Sequence, residues 1–194
     1  GQSRRMGKIN KLTAVVAGKP VIRHVVDTVL EAGFKDIVVV LGYDEQAVSA
    51  CLEGLPVRFV KNEAFRSGQA SSVSAGIAAL DNNVSDVMVV LGDMPLLSAA
   101  LLNNLHHHHM RNPQHEQMIS LPVYLKDRES QVGHPVIWGR QFFPDLQALT
   151  GDQGGRQIWS DHPAIINQMD VEDATLFLDT DTAEALRRAE VLLL

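Results

Sequence analysis

The chain carries 194 residues, 45% of them hydrophobic and 21% charged, with a formal net charge of −6. That composition supports one globular domain with a substantial core, and the acidic balance argues against general nucleic-acid binding. No apolar run approaches the roughly 20 residues that cross a bilayer, and the single Cys51 excludes an internal disulfide, so a soluble cytoplasmic monomer without a membrane partner is expected.

The first segment, Gly1-Gln2-Ser3-Arg4-Arg5-Met6-Gly7, is a glycine-bracketed basic loop followed by Lys11. Glycines let a backbone turn tightly and bring its N–H groups to a ligand, while Arg4, Arg5 and Lys11 add positive charge, so the loop suits a triphosphate. Phosphate cradles of this kind follow a strand. None precedes Gly1, and a first strand is therefore expected upstream of it. The alternative for the loop alone is a solvated basic N-terminus.

Strand and helix patterns then alternate. Apolar residues at Val21, Ile22, Val25, Val26, Val29 and Leu30 predict a helix over Pro20–Ala32, stopped by Gly33. Ile37–Leu41 is a β-branched run that suits a strand buried on both faces, and Glu45–Leu52 resumes a helical pattern that places Cys51 on the apolar side. Val57–Val60 predicts a strand, Ser71–Leu80 a helix and Val87–Leu91 a strand running into Gly92-Asp93-Met94-Pro95. This rhythm predicts an α/β fold: a mostly parallel Rossmann-like sheet with helices on both faces, a three-layer sandwich whose ligands collect beyond the carboxyl ends of the strands. The expected single domain, 1–194, divides near residue 97 into a nucleotide-binding half (1–97) and a substrate-binding half (98–194).

The second half is looser and predicts a small cap. Helices are expected over Ser98–Met110, Arg140–Leu149 and Ala183–Leu193, and strands over Met118–Val123, Pro135–Trp138 and Thr175–Leu178. His106–His109 lies within the first of these helices and reads as an exposed polar face in preference to a metal site, which would need further converging ligands. His24 reads as a half-buried residue with a local hydrogen bond. His134, between Gly133 and Pro135, stands at a loop-to-strand edge and reads either as a ligand contact or as part of a structural turn.

Asp93 follows an apolar strand, so its carboxylate emerges at the carboxyl edge of the sheet. Asp179 and Asp181 alternate along one segment, so only one of them faces the site. Asp181 is either a second metal ligand or the N-cap of the last helix. Two carboxylates from distant strands can hold Mg²⁺, and with Arg5 and Lys11 the set describes nucleotidyl transfer.

Five motifs occur in order: GQSRRMG with Asn10-Lys11-Leu12; Arg66-Ser67-Gly68-Gln69-Ala70-Ser71-Ser72-Val73 with Ala75-Gly76; Leu91-Gly92-Asp93-Met94-Pro95-Leu96; Gly133-His134-Pro135; and Leu178-Asp179-Thr180-Asp181-Thr182. Together they resemble the molybdenum cofactor cytidylyltransferases, within the molybdopterin nucleotidyltransferase group. The resemblance spans nearly the whole chain and implies CMP transfer from CTP to the phosphate of molybdopterin bearing molybdenum, with release of pyrophosphate and a molybdenum hydroxylase as recipient of the product. It implies catalytic roles for Arg5, Lys11 and Asp93 and nucleotide contacts from Gly1, Gln2, Ser3, Arg5, Lys11, Ser72, Gly76 and Asp93. Asp93 and Asp181 become the Mg²⁺ ligands. His134 and Arg156 are candidates for the pterin substrate, unless Arg156 is simply a surface cation at a helix start. Only the glycine of the family's Ala-Ala-Gly remains, as Gly1, and this leaves GTP-dependent guanylyl transfer open. A sugar-phosphate nucleotidyltransferase and a non-catalytic chaperone for the nucleotide-bearing cofactor are also compatible with these motifs.

Overall fold

The computed structural model describes residues 10–126, 128–151, 155–160 and 163–194. A short hairpin opens this part of the chain: β1 (Val15–Val16) and β2 (Lys19–Pro20) are joined through Ala17 and Gly18, both at positive φ, 46° and 79°. Paired positive φ values match the right-handed twist of antiparallel strands, and Gly18 takes its share without steric cost. α1 (Val21–Glu31) follows directly, its stripe of Val21, Ile22, Val25 and Val26 buried.

β3 (Val38–Leu41) and β4 (Arg58–Lys61) pair in parallel across α2 (Glu45–Cys51), with Val38 opposite Arg58. α3 (Gln69–Ala78) leads to β5 (Asp86–Val89), and α4 (Ala99–Met110) starts at Ser98, whose side chain accepts from the Leu101 amide. The remaining elements are β6 (Ile119–Lys126), β7 (Glu129–Val132), β8 (Val136–Gly139), α5 (Phe143–Ala148), α6 (Arg156–Ser160), β9 (Ile166–Asp170) and α7 (Ala183–Leu193).

Side-chain alternation builds three layers. Ile119, Leu121 and Val123 of β6 pack with Val136 and Trp138 of β8, Ile77 of α3 and Leu146 of α5 on one face of the sheet. Ser120, one residue out of phase, meets His109 of α4 on the other face. The same period-two rule splits β3, where Val39 and Leu41 pack with α1 and α2 while Val40 faces Gly76 of α3. Helices therefore cover both faces, as the alternating pattern predicts.

The central sheet is mixed. Among the described residues its order is β5-β8-β6-β7, with β9 parallel to β6 and the other neighbours antiparallel. Antiparallel pairing dominates the second half because β6, β7 and β8 are joined by short connections, which cannot carry the crossover that parallel pairing requires. Thr175–Leu178 is not a strand: Ala174–Phe177 is a turn of 3₁₀ helix, started by Asp173 accepting from the Thr175 amide and hydroxyl. The neighbouring place in the sheet goes to β9, whose polar sequence Ile-Asn-Gln-Met-Asp hid it.

Candidate functional site

Lys11 stands between two carboxylates. Its ammonium Nζ bonds to Asp93 Oδ2 and to Asp181 Oδ1, joining residues from three distant parts of the chain. Lys11 is set by a turn in which the Asn10 carbonyl accepts from Thr13 N and Oγ1 at 3.1 Å, while Asn10 Oδ1 accepts from Leu12 N at 3.1 Å. Asn10 itself is buried. Gly92 lets this turn approach β5: a Cβ there would lie 2.8 Å from Ile22 Cδ1 and 3.5 Å from Leu12 Cδ2. Glycine is thus the residue that lets α1 and the Lys11 turn close on the loop carrying Asp93.

Asp181 arrives by a second route. Thr180, fully buried, donates its backbone N–H (3.0 Å) and its hydroxyl (3.1 Å) to the Asp93 carbonyl. Phe177, three residues earlier, stacks on Tyr124 with centroids 4.4 Å apart and packs where a Cβ on Gly133 would lie 2.5 Å from its ring. Thr182, not Asp181, caps α7 by accepting from Ala185 N at 3.1 Å, which frees the Asp181 carboxylate for Lys11. Asp179 is exposed and accepts from the Asp181 amide at 3.3 Å. The segment is not a strand, and alternation, which sets residues two apart on one face, is not what separates the two carboxylates: this local side-chain-to-backbone turn does.

Burial alone would lower the pKa of Lys11, but the charge of Asp93 and the hydrogen bonds to Asp181 and Asp93 outweigh it and hold the ammonium above its ordinary value. The lysine is therefore a fixed positive charge at the carboxyl edge of β5. A pair of carboxylates drawn around one cation offers the oxygen-only donor set that suits a hard divalent ion.

Ser72 lies on the first turns of α3, where Asn62 Nδ2 donates to Ser71 Oγ (2.9 Å) and Ser72 Oγ (3.0 Å). Asn62 is buried and closes β4, so it ties the start of α3 to the strand end; nothing in the sequence pattern marked it. Beyond the carboxyl ends of β3 and β4 opens a cleft of about 360 Å³, lined by Gly42, Asp44, Lys61, Asn62 and Phe65 among others. Gly76 sits deeper along α3, and a Cβ there would approach Val40 Cγ2 to 3.2 Å, so close helix-to-strand packing accounts for this glycine.

His134 is largely enclosed. Its Nδ1 is buried with no hydrogen-bond partner among the described residues, and its ring also bonds to the Val89 backbone. Burial pushes its pKa down, and the charge of Asp93 together with the Val89 contact offsets this only in part. His134 therefore belongs to the same edge as Asp93. Arg156 is exposed at the start of α6, immediately after Gly155, where a Cβ would lie 2.2 Å from Trp138. Gly1, Gln2, Ser3 and Arg5, together with the Asp152-Gln153-Gly154 segment, lie outside the described residues.

The histidine run departs from an exposed polar face. His107 is exposed, but His109 is fully buried, with its ring nitrogens on Ser120 and Asp86. Two sheet positions, Asp86 and Ser120, face α4 and draw the ring inward, a pairing across the fold that helical periodicity does not reveal. His24 bonds to the Val16 carbonyl at 2.7 Å, as its position in α1 predicts, and Cys51 is half-buried beside the core around α1 and α2.

Residues 1–166 match the MobA-like NTP transferase domain. The chain is 29% identical over 189 residues to the nicotine blue oxidoreductase of Paenarthrobacter nicotinovorans, covering 97% of this chain and 91% of that protein. It is 41% identical over 106 residues to the bifunctional protein GlmU of Sinorhizobium fredii, a match that takes in 53% of this chain and 23% of the relative's length. Among solved structures, Rv0371c from Mycobacterium tuberculosis H37Rv superposes with a TM-score of 0.83 at 25% identity, covering 98% of this chain and 93% of that one. A manganese complex of Rv0371c gives 0.76 at 23% identity over 96% and 94%.

Proposed function

The chain belongs to the MobA-like NTP transferase domain family, and from that premise we propose that it transfers CMP from CTP to the terminal phosphate of molybdopterin bearing molybdenum, releasing pyrophosphate. The observation that carries this reading is Lys11 held between Asp93 and Asp181 at the carboxyl edge of β5. In the reaction a phosphate oxygen of the acceptor attacks the α-phosphorus, the α–β phosphoanhydride bond breaks and its electron pair leaves with pyrophosphate. There is little covalent work for side chains, so positioning and charge stabilisation dominate.

Asp93 and Asp181 fit a divalent ion, since they converge on a cation and supply oxygen donors. When bound there, Mg²⁺ neutralises triphosphate charge and orients the reacting groups. Lys11, released from the carboxylates, serves the phosphates, joined by Arg5 and the Gly1-Gln2-Ser3 backbone. Ser72, fixed by Asn62 next to the cleft beyond β3 and β4, and Gly76 serve the nucleobase. His134 and Arg156 serve the pterin half, giving a division near residue 97 into nucleotide and substrate sides. The choice of CTP over GTP rests on the resemblance and on the small residues Ser71, Ser72 and Gly76, of which Ser71 and Ser72 stand on the first turn of α3 and Gly76 lets that helix lie close on β3. A molybdenum hydroxylase would receive the product, and a cytoplasmic monomer completes the proposal. Among the described residues no helix is long and apolar enough to cross a membrane.

Pyrophosphate release, followed with each of the four NTPs and molybdopterin carrying molybdenum, tests this directly. CTP is expected to exceed GTP by about a thousandfold in kcat/KM, because a mismatched base leaves buried hydrogen-bonding groups unpaired. A preference for GTP would assign guanylyl transfer instead. Absence of pyrophosphate release with every NTP, together with oxidation of a nicotinamide cofactor, would replace the transferase reading with reductive chemistry.

A further inference from the structure

We propose that Asp86, His109 and His115 form a zinc site at the end of the fold opposite Asp93. Asp86 opens β5, whereas Asp93 lies beyond that strand's last residue, Val89, so the two centres sit at opposite ends of one strand. His109 comes from the last turn of α4 and His115 from the 3₁₀ turn His115–Gln117 that follows it. One donor atom from each of the three residues lies within 4.8 Å of the others.

The contacts already have the shape of a coordination shell. His109 Nε2 is 2.9 Å from Asp86 Oδ1, and His115 Nδ1 is 3.0 Å from Oδ1 and 2.9 Å from Oδ2. Ligand atoms around tetrahedral zinc, each about 2.0–2.1 Å from the metal, stand about 3.3 Å apart. The two histidine–carboxylate separations therefore need to open by only a few tenths of an ångström. Two imidazoles and a carboxylate are donors that zinc accepts, with a water completing the fourth position.

Outer contacts hold the donors in place. His109 Nδ1 is 2.7 Å from Ser120 Oγ, which also accepts from Asn167 Nδ2 at 3.1 Å, and Ser85 Oγ donates to Asp86 Oδ2 at 2.6 Å. Such contacts fix ring orientation and carboxylate position around a metal. The side chain of His109 is fully buried, while those of Asp86 and His115 keep 13% and 20% exposure, which leaves an entry path from solvent. On binding, the ring nitrogens that now face Asp86 turn a lone pair to zinc, and each neutral imidazole carries its proton on the other nitrogen, which in His109 faces Ser120 Oγ.

Without metal the same groups make a hydrogen-bonded brace, so binding itself must be measured. Zn²⁺ titration by calorimetry, with Co²⁺ absorption as a geometric probe, is best done on the metal-stripped Asp93→Asn protein to silence the other centre. One equivalent of Zn²⁺ is expected, with a visible tetrahedral Co²⁺ spectrum and a Tm raised by about 5–10 °C at a hundredfold excess over Kd. His115→Gln keeps an amide donor for Asp86 but removes the imidazole. It should weaken Zn²⁺ binding at least tenfold while the metal-free Tm stays within about 2 °C, and His115→Ala should weaken it likewise. No binding at up to 100-fold excess of Zn²⁺ over protein would overturn the proposal. So would binding that survives His115→Gln but is lost in His107→Ala, since the metal would then be held by the outer face of the histidine run.

Discussion

Thr180 donates to the carbonyl of Asp93 through both its amide and its hydroxyl, tying together two residues 87 apart in sequence. The two bonds fix the backbone on either side of the Lys11 ammonium, so Asp93 and Asp181 reach the same cation from different loops. Thr180 itself contributes no charge to the site. Its role is to hold Asp181 in register with Asp93.

Thr180→Val keeps the amide bond and the volume but removes the hydroxyl donor. The loop should hold Asp181 less firmly, and kcat/KM for pyrophosphate release is expected to fall about tenfold, equivalent to roughly 1.4 kcal/mol. Steady-state kinetics beside a thermal melt check this. Unchanged kinetics would show that the amide bond alone sets the loop.

The three aspartates should separate in order. Asp93→Asn and Asp181→Asn each remove an oxygen ligand of the proposed metal, and turnover is expected to drop at least a hundredfold, about 3 kcal/mol or more. Asp179→Asn should have a mild effect, because that carboxylate is exposed and its hydrogen bond is to the local Asp181 amide. Pyrophosphate-release rates at saturating Mg²⁺ give the ranking, and a larger loss for Asp179→Asn than for Asp181→Asn would invert the assignment.

Much of this arrangement was legible in the sequence, and for definite reasons. Val87–Leu91 ending in Gly92-Asp93 marks an apolar strand with a carboxylate beyond its end, seen as β5, whereas the turn that separates Asp179 from Asp181 and leaves Asp181 on Lys11 is a local hydrogen bond that strand alternation does not predict. Long helices such as α1 announce themselves through a complete apolar stripe. The rest depends on long-range pairing. β9 combines half-buried and exposed residues of mixed polarity, and its partner, β6, lies more than forty positions away. Asn62 and Thr180 act through hydrogen bonds that single-chain periodicity cannot encode. His109 looks exposed in a run of four histidines until Asp86 and Ser120 are seen beneath it.

Lys11→Met should expose the cost of placing two carboxylates together. Lys11 and Asp93 side chains are only 15% and 17% exposed, although Asp181 at 37% is better solvated. Removing the cation should destabilise the fold by about 2 kcal/mol, reduced from a fully buried pair by that solvation. Melts in chelator and in millimolar Mg²⁺ form the test: Mg²⁺ should restore most of the lost Tm in Lys11→Met and shift the wild type much less. Equal shifts would place the ion elsewhere.

His134 provides a pH signature. Its folded pKa lies below the unfolded value because burial disfavours the imidazolium. The unfolded chain therefore takes up the proton first, and stability falls as pH drops below the ordinary histidine range near 6.5. His134→Asn should flatten part of that fall. Urea midpoints from pH 8 to pH 5 give the comparison, and parallel curves for the two proteins would mean that His134 does not carry the effect.

Lys11 and Arg156 should divide the two substrates between them. Lys11 sits on the carboxylates at the end of β5, whereas Arg156 opens α6 on the surface, placed by the packing of Gly155 against Trp138. An arginine fork can pair two oxygens of a phosphate, which suits the pterin side of the reaction. Lys11→Met is therefore expected to weaken CTP·Mg²⁺ binding and turnover together. Arg156→Ala should raise the KM for molybdopterin by about tenfold and leave CTP affinity within twofold, since one charge-assisted hydrogen-bond pair contributes roughly 1.5–3 kcal/mol before solvent exposure reduces it. Calorimetric titration of CTP·Mg²⁺ into both variants decides the matter: an equal loss of CTP affinity would place Arg156 on the nucleotide, and an unchanged KM for molybdopterin would leave it a surface cation.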